Sequence, residues 1–374
     1  MTKPERCFTI EMQSTETLRK TIRKKGRGNM YTKYFITGAT GFLGNAVIHE
    51  LMKKNVPVYA MVLKTDSLRH TLPREINVVT GDVCDGKSVE DFFTEADGKS
   101  CVIHCAGIVS VASEPGRKIY DVNVAGTGHI VSQCIAHNVG KLVYVSSVHA
   151  IPEKPVGQIM DGNCVISPEL VSGHYAKSKA AATVLVQDAV AKGLNASIVM
   201  PSGIIGPGDT CGGSISSMLS LLLSGKLPAA VRGGYDFVDV RDVAKATVSC
   251  TENGKAGKQY VLSGHYATIR DILETAKEAA GIKKRTLYLP LKAAEAVAPL
   301  YEKISLLRKR KLFFTPYSVA VLASNSAFDR SEALRDLDFY PRSLKETVTD
   351  AVVWLGKKSL PGRNAKLRKK RSSS

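Results

Sequence analysis

Between residues 33 and 206, short apolar runs alternate with longer stretches in which apolar residues recur at helical spacing. No other feature constrains the fold as much, because a chain that repeats strand, helix and strand on this scale forms a parallel sheet covered by helices. Residues 42–54 and 119–137 are typical of the helical stretches. The pattern predicts six strands, at residues 34–37, 56–63, 76–80, 101–104, 142–146 and 196–200.

The alternating region lies between other segments of the 374-residue chain that have different patterns. Helices joined by short strands predict a smaller, mostly helical lobe over residues 207–358, some of whose elements return to the first domain, residues 31–206. Residues 1–30 and 359–374 are basic and lack apolar periodicity, which predicts disordered extensions and leaves Met30 as an alternative start. We therefore predict an α/β fold with a doubly wound parallel sheet and a helical C-terminal substrate lobe.

The formal net charge of +18 lies mostly at the two ends of the chain. Residues 1–30 hold eight lysines and arginines against three glutamates, and residues 361–374 hold six and no acidic residue. The body is only mildly basic, which argues against specific nucleic-acid binding and leaves weak attachment of the ends to RNA or an anionic membrane open. No apolar run approaches the roughly 18 residues that cross a bilayer, so we predict no transmembrane segment.

The eight cysteines include no Cys-x-x-Cys pair. Such pairs are typical of zinc knuckles and redox sites, so the sequence predicts neither, and no metal site. Several cysteines lie in apolar stretches such as residues 101–105, where a thiol packs as a small apolar group. Because nothing in the basic N-terminal extension is typical of secretion, we predict a cytoplasmic protein.

The first predicted strand runs into the turn Thr37-Gly-Ala-Thr-Gly-Phe-Leu-Gly44, directly before a helix. Glycines at this spacing and place are typical of a Rossmann fold: they permit the tight turn, the approach of a pyrophosphate to the helix N-terminus, and close packing of helix on strand. The turn predicts binding of a nicotinamide dinucleotide by Gly38, Thr40, Gly41, Phe42, Leu43 and Gly44.

The end of the second strand predicts which dinucleotide binds. At this position an acidic residue binds the ribose hydroxyls of NAD, whereas a cation accommodates the 2′-phosphate of NADP. Lys64 lies at the strand tip, which favours NADP, while Asp66 leaves NAD open.

With these features the chain resembles the extended branch of the short-chain dehydrogenase/reductase superfamily, also called the NAD-dependent epimerase/dehydratase family. The resemblance spans residues 33–355. Besides the glycine turn, it rests on seven motifs: Gly81-Asp-Val83, His104-Cys-Ala-Gly107, Asn123-Val-Ala-Gly-Thr127, Ser146-Ser147, Tyr175-Ala-Lys-Ser-Lys179, Met200-Pro-Ser-Gly-Ile-Ile-Gly-Pro-Gly208 and Phe237-Val-Asp-Val-Arg-Asp-Val-Ala244.

The resemblance implies roles for several residues along the cofactor. Asn123 matches a family position that steadies the sheet near the site. The sequence supports a structural role and a functional role for this residue equally. The implied cofactor contacts are Asp82 and Val83 at the adenine, Cys105, Ala106 and Gly107 along the cofactor path, and Pro201, Gly203 and Ile204 at the nicotinamide.

The spacing Tyr-x-x-x-Lys occurs twice, at Tyr175/Lys179 and at Tyr288/Lys292. Pro290 interrupts the second, whereas the first lies in an uninterrupted helical stretch that places both side chains on one face. An ammonium beside a phenol stabilises the phenolate and lowers its pKa from about 10 toward the working range. We therefore predict Tyr175 as catalytic acid/base, with Lys179 lowering its pKa and also holding the nicotinamide ribose.

Ser146 and Ser147 end the fifth predicted strand, at the edge where ligands of open α/β sheets bind. The family motif favours Ser147 as the residue that donates a hydrogen bond to the substrate oxygen as charge grows there. His149 and His174 are close enough in sequence to reach the pocket, although a histidine so placed is more often structural.

The residues after the sixth strand predict the substrate class. Sugar-nucleotide epimerases of the family commonly carry Arg before the proline of the sixth-strand motif, where this chain has Met200. Residues 233–244 and 339–348 look more like the dihydroflavonol reductase and 3β-hydroxysteroid dehydrogenase group. The resulting prediction is an NADP-dependent oxidoreductase that interconverts a ketone or aldehyde and an alcohol on a bulky, largely apolar substrate.

Two alternatives stay open at this point. One is an NAD-dependent nucleotide-sugar epimerase or dehydratase, and the other is a non-catalytic dinucleotide-binding module. The intact set of Ser147, Tyr175 and Lys179 argues against the module. Homodimer formation is also left open.

Overall fold

The computed structural model of the protein describes residues 30–114, 116–227, 229–308, 312 and 314–359. The short apolar runs form strands and the stretches between them form mostly helices. In chain order the strands are β1 (Lys33–Thr37), β2 (Val58–Val62), β3 (Asn77–Thr80), β4 (Ser100–His104), β5 (Lys141–Val145), β6 (Ala196–Pro201), β7 (Gly203–Ile205), β8 (Ala229–Val231), β9 (Gly234–Asp239), β10 (Gln259–Leu262), β11 (His265–Thr268) and β12 (Leu287–Leu289).

Seven of these strands form one parallel sheet in the order β10-β6-β5-β4-β1-β2-β3. All six predicted strands are present, with ends that differ from the prediction by at most two residues. The seventh strand, β10, comes from the second half of the chain and pairs with β6, with Tyr260 opposite Val199. The predicted doubly wound Rossmann sheet is therefore confirmed.

Helices follow most strands of the main sheet. Short 3-10 segments at Met52–Lys54, Arg69–Thr71, Val148–Ala150 and Pro168–Leu170 supplement them, and a π-helical turn, Asp121–Ala125, joins the helices Lys118–Tyr120 and Gly126–Ala136. The helices are α1 (Phe42–Leu51), α2 (Gly86–Phe92), α3 (Lys118–Tyr120), α4 (Gly126–Ala136), α5 (His174–Ala191), α6 (Ser214–Leu223), α7 (Val240–Asn253), α8 (Ile269–Ala280), α9 (Leu291–Leu307), α10 (Pro316–Ala323), α11 (Ser331–Leu337) and α12 (Leu344–Ser359).

The central strand β1 shows why both faces of the sheet carry helices. Phe35 packs in a core cluster that includes Phe92 of α2 and Ile130 of α4, whereas Ile36 belongs to a second cluster with Val47 of α1. Both strand side chains are fully buried. A strand that is buried on both faces has no polar face, which explains the continuous apolar runs in the sequence.

The remaining strands form two small sheets. In one, β9 pairs with β7 in parallel and with β11 in antiparallel orientation, and in the other β8 pairs with β12. The division of the chain at residue 206 stays a prediction. The two predicted basic extensions lie outside the described residues except for Met30 and Ser359.

The fold places the predicted site residues at one edge of the main sheet. Because its strands are parallel, their carboxyl ends meet there, and open α/β sheets bind ligands at this edge. Each predicted site residue either ends or follows one of these strands, or lies in α1 or α5.

Candidate active site

The turn between β1 and α1 brings backbone N–H groups to the edge of the sheet. Gly38 has a φ of 70°, and a Cβ there would lie 2.6 Å from the backbone nitrogen of Ala106, so only glycine fits. A Cβ on Gly44 would collide with the Gly38 carbonyl oxygen. No side chain in the described residues caps α1 at Gly41, and its first turn has no acidic residue. The first-turn N–H groups can therefore bind an anion such as a pyrophosphate.

The chain after β2 lies beside the same turn. Thr40 donates from Oγ1 to Oδ2 of Asp66 at 2.5 Å, and the backbone N–H of Leu68 donates to Oδ1 at 2.8 Å. Both carboxylate oxygens of Asp66 thus accept hydrogen bonds that stabilise the two turns. Lys64, two residues earlier, has an exposed side chain.

The predicted adenine residues follow β3. Val83 is buried against α4, where a Cβ on Gly126 would lie 2.9 Å from its Cγ2. Asp82 is exposed and accepts a hydrogen bond from the backbone N–H of Cys84 at 2.9 Å. The pair therefore offers an apolar wall and a carboxylate at the end of β3.

The residues after β4 continue the path toward α5. The Cys105 N–H donates to the Thr37 carbonyl at 3.2 Å, and the Ala106 N–H donates to Thr37 Oγ1 at 3.3 Å. A Cβ on Gly107 would lie 3.5 Å from Nζ of Lys179. This stretch connects the glycine turn with the predicted catalytic helix.

Tyr175, Ser147 and Lys179 are buried together where β5 ends and α5 begins. Burial raises the pKa of Tyr175, and its side-chain hydrogen bond with Ser147 acts in the opposite direction. Lys179 donates from Nζ to the Val145 carbonyl at 2.7 Å and to the Tyr144 hydroxyl at 3.4 Å. Burial lowers the pKa of Lys179 to about 8.

The role of Lys179 in lowering the pKa of Tyr175 stays a prediction. In the structure the side chain of Ser147 lowers the pKa of Tyr175 against the larger effect of burial, and the Lys179 ammonium contacts the end of β5. The physical reason is that a buried ammonium needs acceptors, and the carbonyl at the end of β5 supplies one. The position of Lys179 beside Gly107 remains compatible with holding a ribose.

Ser146 and Asn123 make hydrogen bonds around the site formed by Tyr175, Ser147 and Lys179. The Ser146 hydroxyl shares a hydrogen bond with that of Thr183 at 2.6 Å, so it is already engaged within the fold. Asn123 donates from Nδ2 to the Ile108 carbonyl at 3.0 Å and accepts the Ile108 N–H through Oδ1 at 2.7 Å. This arrangement favours Ser147 over Ser146 for the reaction and a positioning role for Asn123.

The two candidate histidines lie in different surroundings. His174 is partly exposed, shares a hydrogen bond with the Tyr120 hydroxyl at 3.1 Å and lies 3.5 Å from Glu114. His149 is partly buried, and this burial lowers its pKa to about 4, so it is neutral near pH 7. Of the two, only His149 has its ring packed against Tyr175, at a centroid distance of 5.6 Å.

An aromatic cluster of His149, Tyr235 and Tyr317 adjoins Tyr175. The His149 ring stacks on Tyr235 at 5.5 Å and lies 6.2 Å from Tyr317. The Tyr235 hydroxyl is 3.4 Å from His149 Nε2, and the Tyr317 hydroxyl is 3.5 Å from Nδ1. Neither tyrosine is predicted from the sequence as a site residue, because both are far from His149 in the chain; the family-like segment 233–244, which contains Tyr235, is the one signal that could have indicated it.

The segment after β6 reaches the same cluster. Pro201 ends β6, and Gly203 and Ile204 belong to β7, which pairs with β9. A Cβ on Gly203 would lie 2.9 Å from Cδ1 of Phe237, so this contact requires glycine. Tyr235 packs edge-on against Phe237, which joins the predicted nicotinamide side to the aromatic cluster.

Residues 34–263 match the family model described as the NAD dependent epimerase/dehydratase family. This match covers more than half of the chain and includes every predicted site residue. The chain belongs to this family. The resemblance inferred from the motifs is confirmed, and the protein is an NAD(P)-dependent enzyme of the oxidoreductase and epimerase type.

Three curated relatives match most of this chain and nearly all of their own length. Sterol demethylase protein B of Methylococcus capsulatus is 27% identical over 87% of this chain and 98% of its own. A Synechocystis protein provisionally named dihydroflavonol 4-reductase is 28% identical over 86% and 94%. The decarboxylating sterol-4-alpha-carboxylate 3-dehydrogenase of Schizosaccharomyces pombe is 26% identical over 84% and 95%.

A solved structure supports the same architecture. The crystal structure of gox2253 superposes with a TM-score of 0.75 at 27% identity, covering 88% of this chain and 99% of gox2253. Within the described residues, no helix is long and apolar enough to span a membrane. The same residues contain no cluster of three or more side chains suited to hold a metal ion.

Proposed function

We propose that this enzyme is an NADP-dependent oxidoreductase that interconverts a ketone or aldehyde and an alcohol on a bulky, largely apolar substrate. The observation that carries the proposal is that Tyr175 and Ser147 are buried together beside the aromatic cluster. This arrangement joins a proton donor for a carbonyl oxygen to rings that suit an apolar substrate.

Each of the three side chains Tyr175, Ser147 and Lys179 has its own role in the proposed carbonyl reduction. The bound dinucleotide supplies the hydride. The Tyr175 hydroxyl gives its proton to the carbonyl oxygen, and the Ser147 hydroxyl donates a hydrogen bond to the same atom as negative charge grows there. The raised pKa of Tyr175 keeps the phenol protonated near pH 7, which is the form that a general acid needs. Lys179 would hold the nicotinamide ribose.

The side chains after β2 support NADP over NAD. Lys64 is exposed at the strand tip, and Arg69 is exposed in the 3-10 turn that follows. Both oxygens of Asp66 are engaged by Thr40 and Leu68, so this carboxylate is less available to a ribose hydroxyl. A 2′-phosphate would therefore meet cations rather than a competing carboxylate.

The relatives' names support a polycyclic substrate. Two of the curated relatives are named for sterols, and one is provisionally named for a dihydroflavonol. The aromatic cluster, in which His149 stacks on Tyr235 and is tilted against Tyr317, offers apolar ring surfaces to such a ring system, and the neutral imidazole adds no charge.

The test combines cofactor binding with a substrate panel. NADPH and NADH are titrated by nucleotide fluorescence, and 3-ketosteroids, dihydroflavonols, short aliphatic ketones and UDP-glucose are then assayed by nicotinamide absorbance. We expect tighter binding of NADPH and the fastest turnover with a polycyclic ketone. Conversion of UDP-glucose to its epimer, with no net change in nicotinamide absorbance, would contradict the proposal and support the epimerase alternative.

A further inference from the structure

Helix α9 has one face fixed against the rest of the molecule. Ala294 and Ala298 are fully buried and pack with Val319 of α10. Glu302, on the same face, accepts hydrogen bonds from the backbone N–H and the hydroxyl of Ser113, both at 2.8 Å. These contacts fix the rotation of α9 about its own axis. The residues on the opposite side of the helix therefore face outward.

The outward face of α9 is apolar. Val297 is 50% exposed, Leu300 62%, Ile304 40% and Leu307 77%. The spacing of three or four residues places these four side chains in one stripe along the helix. We call this stripe the α9 face. Exposed aliphatic side chains grouped in this way mark an interaction surface more often than scattered ones do.

The charges beside the α9 face are positive. Along α9 and its C-cap the exposed charged residues are Lys292, Glu295, Lys303 and Arg308. The helical period places Glu295 away from the apolar stripe, toward the packed side of α9. The other acidic residue, Glu302, is buried and bonded to Ser113. In the sequence Arg308 begins the run Arg308-Lys-Arg-Lys311. Apolar side chains with cations alongside match the interior and the headgroups of an anionic bilayer.

We propose that the α9 face docks the enzyme on an anionic membrane surface, with the helix lying in the membrane plane. Its 17 residues extend about 26 Å along that plane. A second copy of the chain is a poorer occupant, because a two-fold contact through this face would bring Lys303 and Arg308 toward their own copies. An anionic lipid surface instead neutralises these cations while it buries the aliphatic side chains.

The inward side of α9 packs on segments that lead to the candidate active site. Ser113, which binds α9, follows the cofactor-path residue Gly107 in the chain, and α10, which packs on α9, carries Tyr317 to His149. A bilayer at the α9 face would bring lipid-dissolved substrates to the side of the molecule on which α9 and α10 lie. This link to substrate rests on the proposed function, whereas the docking itself does not.

The test measures vesicle binding of the full chain by flotation. Wild-type protein is compared with the double variant Leu300→Ser, Ile304→Ser on vesicles of phosphatidylcholine with phosphatidylserine and of phosphatidylcholine alone. We expect binding to the anionic vesicles and at least a roughly tenfold lower partition coefficient for the double variant, because two aliphatic side chains no longer enter the interface. Ile135→Ser, at a 48% exposed position on α4, is the matched control and should bind like wild type.

Three results would overturn the docking proposal. One is failure of the wild-type protein to bind anionic vesicles. Another is equal binding of wild type and double variant, which would assign the binding to the basic ends of the chain. The third is a concentration-dependent dimer that the double variant loses, which would make the α9 face a contact between copies. Turnover of a water-soluble ketone without vesicles should be unchanged in the double variant. A failure of the docking proposal can therefore be distinguished from a failure of the proposed function.

Discussion

Tyr175 carries the proton transfer of the proposed reaction, and its hydroxyl can be removed without changing the ring. Tyr175→Phe keeps the packing against His149 and removes the hydrogen bond with Ser147. We expect turnover to fall by roughly two to four orders of magnitude, the usual contribution of a positioned acid or base, while nucleotide affinity stays within a few-fold. Steady-state kinetics and a nucleotide titration on the same preparations measure both.

The second Tyr-x-x-x-Lys spacing supplies the control for this substitution. Tyr288 donates its hydroxyl to Glu274 at 2.7 Å and lies in β12, away from the main sheet. Tyr288→Phe should leave turnover within a few-fold of wild type. Wild-type turnover in Tyr175→Phe would mean that another group moves the proton.

Lys64 determines the cofactor preference in the proposal. Lys64→Ala should weaken NADPH binding by roughly tenfold to thirtyfold and leave NADH binding unchanged, because the lost contact is to the 2′-phosphate alone. Lys99→Ala, another exposed lysine on the connection that precedes β4, should change neither affinity. An unchanged NADPH preference in Lys64→Ala would remove this residue from the cofactor site.

At the scale of elements, an ion-pair network joins α7 to the segment that precedes α12. Arg342 donates from Nη2 to Oδ1 of Asp242 at 2.8 Å, and its backbone N–H donates to Oδ2 at 2.8 Å. Asp242 and the neighbouring Asp239 are buried, and Asp239 also binds Arg241 at 2.7 Å. These pairs satisfy carboxylates that would otherwise be buried without partners.

Removal of Arg342 should therefore destabilise the fold. Arg342→Met leaves Asp242 buried without its cation and should lower the free energy of unfolding by about 3 kcal/mol, as measured by urea denaturation. Lys345→Met, which removes an exposed pair with Glu278, is the comparison and should have little effect. Equal stability of the two variants would show that the network contributes no more than a surface pair.

The elements differ in how far the sequence predicted them. Strands β1 to β6 were predicted because each is a local apolar run, and Ser147, Tyr175 and Lys179 were predicted because each lies in a local motif. The place of β10 beside β6 depends on packing between residues about 60 positions apart, which no local pattern contains. The same limit applies to Tyr235 and Tyr317, which meet His149 only in the folded chain.

At the scale of the whole molecule, two neutral histidines, the buried His104 and the partly buried His149, make stability depend on pH. Burial lowers the pKa of His149 to about 4 and that of His104 to about 3. The His104 ring lies between the hydroxyls of Thr37 and Thr127, at 2.6 and 3.0 Å. In the unfolded chain both histidines titrate near the ordinary value of about 6.5. The unfolded state therefore binds protons first as the pH falls.

The sign of the effect follows from linkage. Above about pH 6.5 both histidines are neutral in the folded and the unfolded state, and the free energy of unfolding has its full value. As the pH falls toward the folded pKa values, the free energy of unfolding decreases by roughly 2 kcal/mol for each histidine near pH 5. Asp236, whose pKa burial raises, offsets part of this loss because it takes up a proton more readily when folded. Urea denaturation near neutral pH and near pH 5 should show the decrease, and His149→Phe should show a decrease about half as large. A free energy of unfolding that is the same at both pH values would mean that the folded protein accommodates a charged imidazole at these positions.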